Sequence, residues 1–81
     1  MNITIICNRY KPQNPQYVLD ARSMAEISLP DGLSLEQLLA ELGVSDKSGK
    51  VFRVNRKAVF DYETKLQDGD RVEIFQMFAA G

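Results

Sequence analysis

Ser34-Leu35-Glu36-Gln37-Leu38-Leu39-Ala40-Glu41-Leu42-Gly43 is the stretch on which the fold turns. Ser followed three positions later by Gln is a capping box, in which each side chain satisfies a backbone N–H that the first helical turn leaves unpaired. Leu35, Leu38, Leu39 and Leu42 recur at i, i+3, i+4 and i+7, so the helix carries one apolar stripe and needs one partner surface. Gly43 stands where a left-handed C-cap is wanted, because Gly reaches positive φ without steric cost. The spacing predicts a helix of about two to three turns, buried on one face.

Working outward, the flanks read as strands. Residues 2–7 alternate polar and apolar around Ile3 and Ile5 and predict a half-buried strand. Residues 8–22 hold Pro12 and Pro15 and have no clear period, which argues against helix or central strand. They read as an unusually long hairpin connection over 8–24, with residues 17–19 adding local strand. Residues 24–29 return, with Ile27 and Leu29 facing inward, and Pro30-Asp31-Gly32 closes the unit in a turn. Beyond the helix, residues 51–54 predict a third strand, Asn55-Arg56-Lys57 a turn, and 58–60 its return. Residues 61–65 are polar and irregular, and Leu66 is a buried plug before the turn Asp68-Gly69-Asp70. Residues 71–78 form a last strand rich in β-branched and aromatic side chains, and it runs into Ala79-Ala80-Gly81.

The order is therefore β-β-α-β-(β)-β. A single amphipathic helix covers a single sheet face, and the link across the helix lets the first and last strands lie parallel and adjacent. This α+β order fits a ubiquitin-like β-grasp, a mixed sheet of four to five strands covered by one main helix, although order alone does not single that fold out.

Composition narrows the chemistry. Eighty-one residues support one domain, 1–81, with one small core. The formal net charge of −1, from ten basic and eleven acidic residues, gives no electrostatic footprint for nucleic acid or an anionic membrane. The chain has no His and one Cys, so the commonest general base is missing and a structural zinc site or an iron–sulfur cluster cannot be built. An autonomous enzyme, a metal site and a bound cofactor are not expected. Cys7 cannot form an internal disulfide, which with the missing signal segment points to the cytoplasm. On a strand beside Ile5 and Ile6 it reads as a small buried hydrophobe. Arg53, Arg56 and Lys57 beside Phe52 read as a solvated hairpin face.

The residues resemble a known family. Ser34-Leu35-Glu36-Gln37-Leu38-Leu39, Val54-Asn55 with Val59, then Leu66-x-Asp68-Gly69-Asp70-x-Val72-x-Ile74-Phe75 and a small C-terminus are similar to the ThiS/MoaD sulfur carriers, over roughly residues 24–81. Ile74-Phe75-Gln76, and the short segment between helix and last strand, look more like the thiamin-pathway carrier ThiS. The resemblance implies a protein co-substrate: a ThiF/MoeB-like adenylating enzyme uses ATP to adenylate the terminal carboxylate. A sulfur donor then converts it to a thiocarboxylate, which supplies a thiazole synthase-like acceptor. By this resemblance Gly81 bears the reactive group and Ala79, Ala80 and Gly81 thread the activating enzyme as a flexible tail. The family has Gly-Gly where this chain has Ala80-Gly81, and the Ala80 methyl adds width at the tightest point.

Alternation along the last strand sends Val72 and Ile74 toward the helix and Phe75 and Met77 to the open sheet face. Phe75, Met77 and Phe78 are thus the expected docking surface for the activating enzyme. The alternatives are that such exposed side chains are ordinary or that the long hairpin folds over them. Three functions stay open: a sulfur carrier of the thiamin or molybdopterin type, monomeric when alone; a ubiquitin-like interaction module without thiocarboxylate chemistry; and, a distant third, an RNA-binding β-grasp.

Overall fold

The computed structural model describes residues 1–77. Its elements are β1 (Asn2–Asn8), β2 (Met24–Ser28), α1 (Leu35–Leu42), β3 (Lys50–Val54), β4 (Lys57–Ala58) and β5 (Arg71–Gln76). The strands form one mixed sheet in the order β2-β1-β5-β3-β4. The first and last strands pair in parallel, Thr4 opposite Arg71 and Cys7 opposite Ile74, while β3 runs antiparallel to β5 with Phe52 opposite Ile74. This is the mixed sheet with one covering helix expected of a β-grasp.

All four leucines of the helical stripe are fully buried. They meet Ile3, Ile5, Cys7, Ile27, Phe52, Val72 and Ile74 from the inner face of the sheet, with Leu66 as the expected plug. Phe52 makes an edge-to-face contact with Tyr62, centroids 5.7 Å apart, so it belongs to the core and not to a basic–aromatic surface.

Both ends of α1 are closed by distant segments. The capping box forms, with the Gln37 N–H donating to Ser34 Oγ and the Ser34 N–H to Gln37 Oε1. The Leu35 and Glu36 amides donate to the carbonyls of Thr64 and Tyr62, each at 2.8 Å. At the other end, Gly43 takes φ +81°, and the Gly43 and Val44 amides donate to the carbonyls of Ala40 and Leu39. The remaining two carbonyls are met from the long connection: the Asn14 N–H donates to Leu42 and Asn14 Nδ2 to Glu41. Every backbone group that a helix terminus ordinarily orphans has a partner.

Some expectations are corrected. Residues 17–19 form no strand; the Tyr17 N–H closes a turn onto the Asn14 carbonyl and its hydroxyl donates to Glu41 at 2.7 Å, so the segment faces the helix and not a strand. The long connection covers the end of α1, not the open sheet face. The return strand is only Lys57–Ala58: the Val59 amide still reaches the Phe52 carbonyl, but Phe60 turns away and is 81% exposed. Asn55 and Arg56 both take positive φ, the two-residue hairpin geometry that twists with its strands.

Candidate functional site

The site that the sequence points to is the C-terminal end of β5 and the sheet face beside it. The strand is held on both edges, by β1 and β3. The Asp68-Gly69-Asp70 turn fixes where it starts. Gly69 has φ +86° and its amide donates to the Asn2 carbonyl, while Asp68 Oδ1 accepts from the Asn2 N–H and Asp70 Oδ2 from the Gln67 N–H. Asp70 Oδ1 also accepts from Asn55 Nδ2, and Asn55 Oδ1 from the Arg71 N–H. Both aspartates are thus occupied in building the turn. At the far end the Met77 N–H donates to the Gly49 carbonyl at 2.8 Å, which anchors the chain up to the tail. Phe78, Ala79, Ala80 and Gly81, with the expected flexible tail, lie outside the described residues.

Register places the outer-face side chains in rows. Met24, Ile6, Glu73, Arg53 and Ala58 stand side by side across the sheet, and Asn8, Phe75 and Val51 form the next row. Ile6, Met24, Val51 and Phe75 are half-buried, and Met77 is 56% exposed. The expected alternation therefore holds for Phe75 and Met77, but Phe75 is less open than the sequence indicated. The Arg53 guanidinium lies over its ring, 5.5 Å from the centroid. The same guanidinium pairs with Glu73, Nε to Oε1 at 3.6 Å. Glu73 Oε1 is buried and has no hydrogen-bond partner. Sequence reading placed Arg53 on a solvated hairpin and missed this role; the signal was its cross-strand register with Glu73, which needs the pairing to be known.

Cys7 is buried, and burial pushes its thiol up to about 11, so at neutral pH it is a protonated, enclosed hydrophobe and not a sulfur nucleophile. Among the described residues no group of His, Cys, Asp and Glu could hold a metal ion, and no helix is long and apolar enough to cross a membrane.

A mixed five-stranded sheet with a parallel first-and-last pair and one covering helix defines a ubiquitin-like β-grasp protein. The sequence model of the ThiS family matches residues 16–81, and the chain belongs to that family of small sulfur carrier proteins. Two solved structures are similar in fold. A chain of the complex of subunits 1 and 2 of molybdopterin-converting factor from Helicobacter pylori aligns over all of both chains at 19% identity and a TM-score of 0.61. A putative molybdopterin converting factor subunit 1 from Pyrococcus furiosus aligns over 91% of this chain and 94% of its own, at 22% identity and a TM-score of 0.62. No curated protein sequence matches the chain.

Proposed function

We propose that the Gly81 carboxylate is adenylated by a ThiF/MoeB-like enzyme using ATP and then converted to a thiocarboxylate. In that sequence the carboxylate oxygen attacks the α-phosphorus, pyrophosphate leaves, and a sulfur nucleophile displaces AMP from the acyl carbon. The observation that carries the reading is β5 itself. In a fold of this family it is clamped between two strands, carries Phe75 on a half-covered apolar face, and is followed in the sequence by the small residues Ala79-Ala80-Gly81. Rigid support up to Met77 followed by slender residues suits insertion of a carboxylate into a narrow active-site channel. Phe75, Met77 and Phe78 would then dock the activating enzyme, with Arg53 moving off the Phe75 ring.

Thiazole formation in the thiamin pathway is the favoured destination, supported by Ile74-Phe75-Gln76 where molybdopterin carriers more often have prolines. The molybdopterin destination is the second reading, favoured by the names of the two similar structures. Intact-mass measurement of the protein from its own cells tests the chemistry: a species heavier by exchange of one oxygen for sulfur, localised to the Gly81 peptide, is expected. Deleting Gly81 should abolish it while leaving the fold intact. If ATP and the host's adenylating enzymes modify an Ala80→Gly variant but never the native chain, the non-carrier interaction module replaces this reading. Supplying the thiocarboxylate form to thiazole synthase or to the molybdopterin-converting large subunit separates the two destinations.

A further inference from the structure

Strand register puts two acidic side chains on the outer sheet face, Glu26 opposite Thr4 and Glu73 opposite Ile6. Glu26 is exposed. The Glu73 side chain is 16% exposed, and its Oε1 is buried with no hydrogen-bond partner. Ile6 stands on one side of Glu73 and Arg53 on the other, with Phe75 two residues further along the same strand and face. Buried carboxylate oxygens are ordinarily hydrogen-bonded, so an open acceptor here calls for a reason.

Arg53 supplies part of the reason. A guanidinium paired with a carboxylate at full strength donates at about 2.7–2.9 Å, often through two bonds at once. Here Nε stays 3.6 Å from Oε1, while the guanidinium lies over the Phe75 ring, 5.5 Å from its centroid. The side chain is divided between a charge and a ring: it neutralises Glu73 without hydrogen-bonding it, and it half-covers Phe75. The two members of the pair differ in how firmly they are held. Glu73 belongs to a strand paired on both edges. The Arg53 side chain is 35% exposed, and a cation over a ring at such a site is weakly bound. Arg71, two residues before Glu73 on the same face, is exposed, and among the described residues Arg53 is the one ion-pair partner that Glu73 has.

We propose that Glu73 is the specificity determinant of the docking face, and that it receives a lysine or arginine side chain of the activating enzyme in the place that Arg53 vacates. The proposal rests on the docking of that enzyme at Phe75 and Met77. An apolar surface that takes the Phe75 ring must displace the guanidinium above it, and the same contact strips the remaining water from Glu73. A carboxylate left there without a partner is strongly unfavourable, since its charge is then buried and uncompensated. A basic side chain from the enzyme removes that penalty and gives Oε1 the hydrogen bond it lacks. An enzyme that offers apolar surface alone meets the penalty in full, so the pair separates enzymes that apolar contact would not. In the free chain Arg53 keeps both the charge and the ring covered until the matching cation arrives.

The test titrates the full chain into the host's ThiF/MoeB-like adenylating enzyme without ATP, by calorimetry. Glu73→Gln, which keeps the shape and removes the charge, should weaken binding at least tenfold and make it less sensitive to salt. Arg53→Ala and Arg71→Ala should bind within threefold of the native chain or more tightly, because neither arginine holds Glu73 in the complex. The Arg53 Nε–H resonance of the native chain, a readout that needs no variant, should move toward that of a solvent-exposed arginine as the complex forms. With ATP added, Glu73→Gln should raise KM for the carrier and leave kcat unchanged, since the carboxylate touches no reacting atom. Melting curves and amide spectra establish that the three variants fold. The proposal is overturned if Glu73→Gln binds within tenfold of the native chain, or if the Arg53 resonance stays where it is. It is also overturned if either arginine variant binds more than threefold more weakly, since that arginine would then be the partner of Glu73 in the complex. A native chain that does not bind, or that binds without moving the Phe75 and Met77 amides, overturns it as well. The carrier reading is judged separately, on whether Gly81 is adenylated: binding with the expected pattern but without adenylate would remove that reading and leave this one.

Discussion

Replacing Gly43 by Ala tests whether the long connection is fastened to the helix. Gly43 sits at φ +81°, and a Cβ there would come within 2.9 Å of Gln13 Cβ and 3.1 Å of the Asn14 N. Two costs therefore combine. Holding Ala in the left-handed region costs about 1–2 kcal/mol. Relieving the contact means moving a backbone, not a side-chain tip, and Asn14 then loses its bonds to the Leu42 and Glu41 carbonyls. At a net of about 0.5–1.5 kcal/mol each, those bonds add about 1–3 kcal/mol. Gly69→Ala supplies the reference, since Gly69 has φ +86° but nothing within 4 Å of the added Cβ. It carries the conformational cost alone, about 1–2 kcal/mol. Urea titrations of the three proteins measure both losses, and a deficit near 3 kcal/mol at Gly43 would lower Tm by about 12–24 °C in a domain of this size. If the two variants lose the same stability to within about 0.5 kcal/mol, the margin expected for independent sites, the connection is not docked on α1.

Ser34→Ala removes the Ser34 Oγ acceptor of the Gln37 N–H at a buried position, and should cost about 1 kcal/mol in the same titration; an unchanged midpoint would mean that Thr64 and Tyr62 alone secure the helix start. Three groups, Cys7, Tyr10 and Tyr17, make the fold sensitive to alkali; burial and then the Cys7 charge raise Tyr10 above its ordinary value. Burial raises the Cys7 thiol to about 11, and the Glu41 bond with burial raises Tyr17 above its ordinary value near 10. For an acid whose folded pKa is raised, the stabilisation is complete below the unfolded pKa and is lost as pH climbs through the folded one. Stability should therefore hold to about pH 9 and fall through pH 11, with Cys7→Ala and Tyr17→Phe each flattening part of the decline. A decline unchanged in both variants would place the alkaline transition elsewhere.

The parts of the fold that sequence reading captured are those encoded within a few residues. The capping box, the leucine stripe, Gly43 and the Asp-Gly-Asp turn each carry their own local physics, and each stands where the pattern put it. What escaped is encoded across distance. Nothing near residue 14 announces that Asn14 will close a helix ending at Leu42, and Pro12 and Pro15 reveal only what the segment cannot be. Likewise the Phe75 side was readable from strand alternation, but its cover was not. Arg53 reaches that ring only because β3 and β5 pair with Arg53 opposite Glu73, a register that hydrophobic pattern alone leaves open. The chemistry proposed for Gly81 comes from family resemblance alone, since a carboxylate on a small terminus has no local signature.

The parallel pairing of β1 with β5 has a consequence for how the protein is made. The strand that occupies the centre of the sheet is the last of the five to leave the ribosome, so β1–β2 and β3–β4 must wait as separate hairpins, each with an open flank, until β5 arrives between them. No nascent fragment lacking β5 can assemble the Phe75 row or close the core over the leucines. Quality control is in effect built into the topology: a chain terminated before Arg71 lacks the central strand, and with it the folded core.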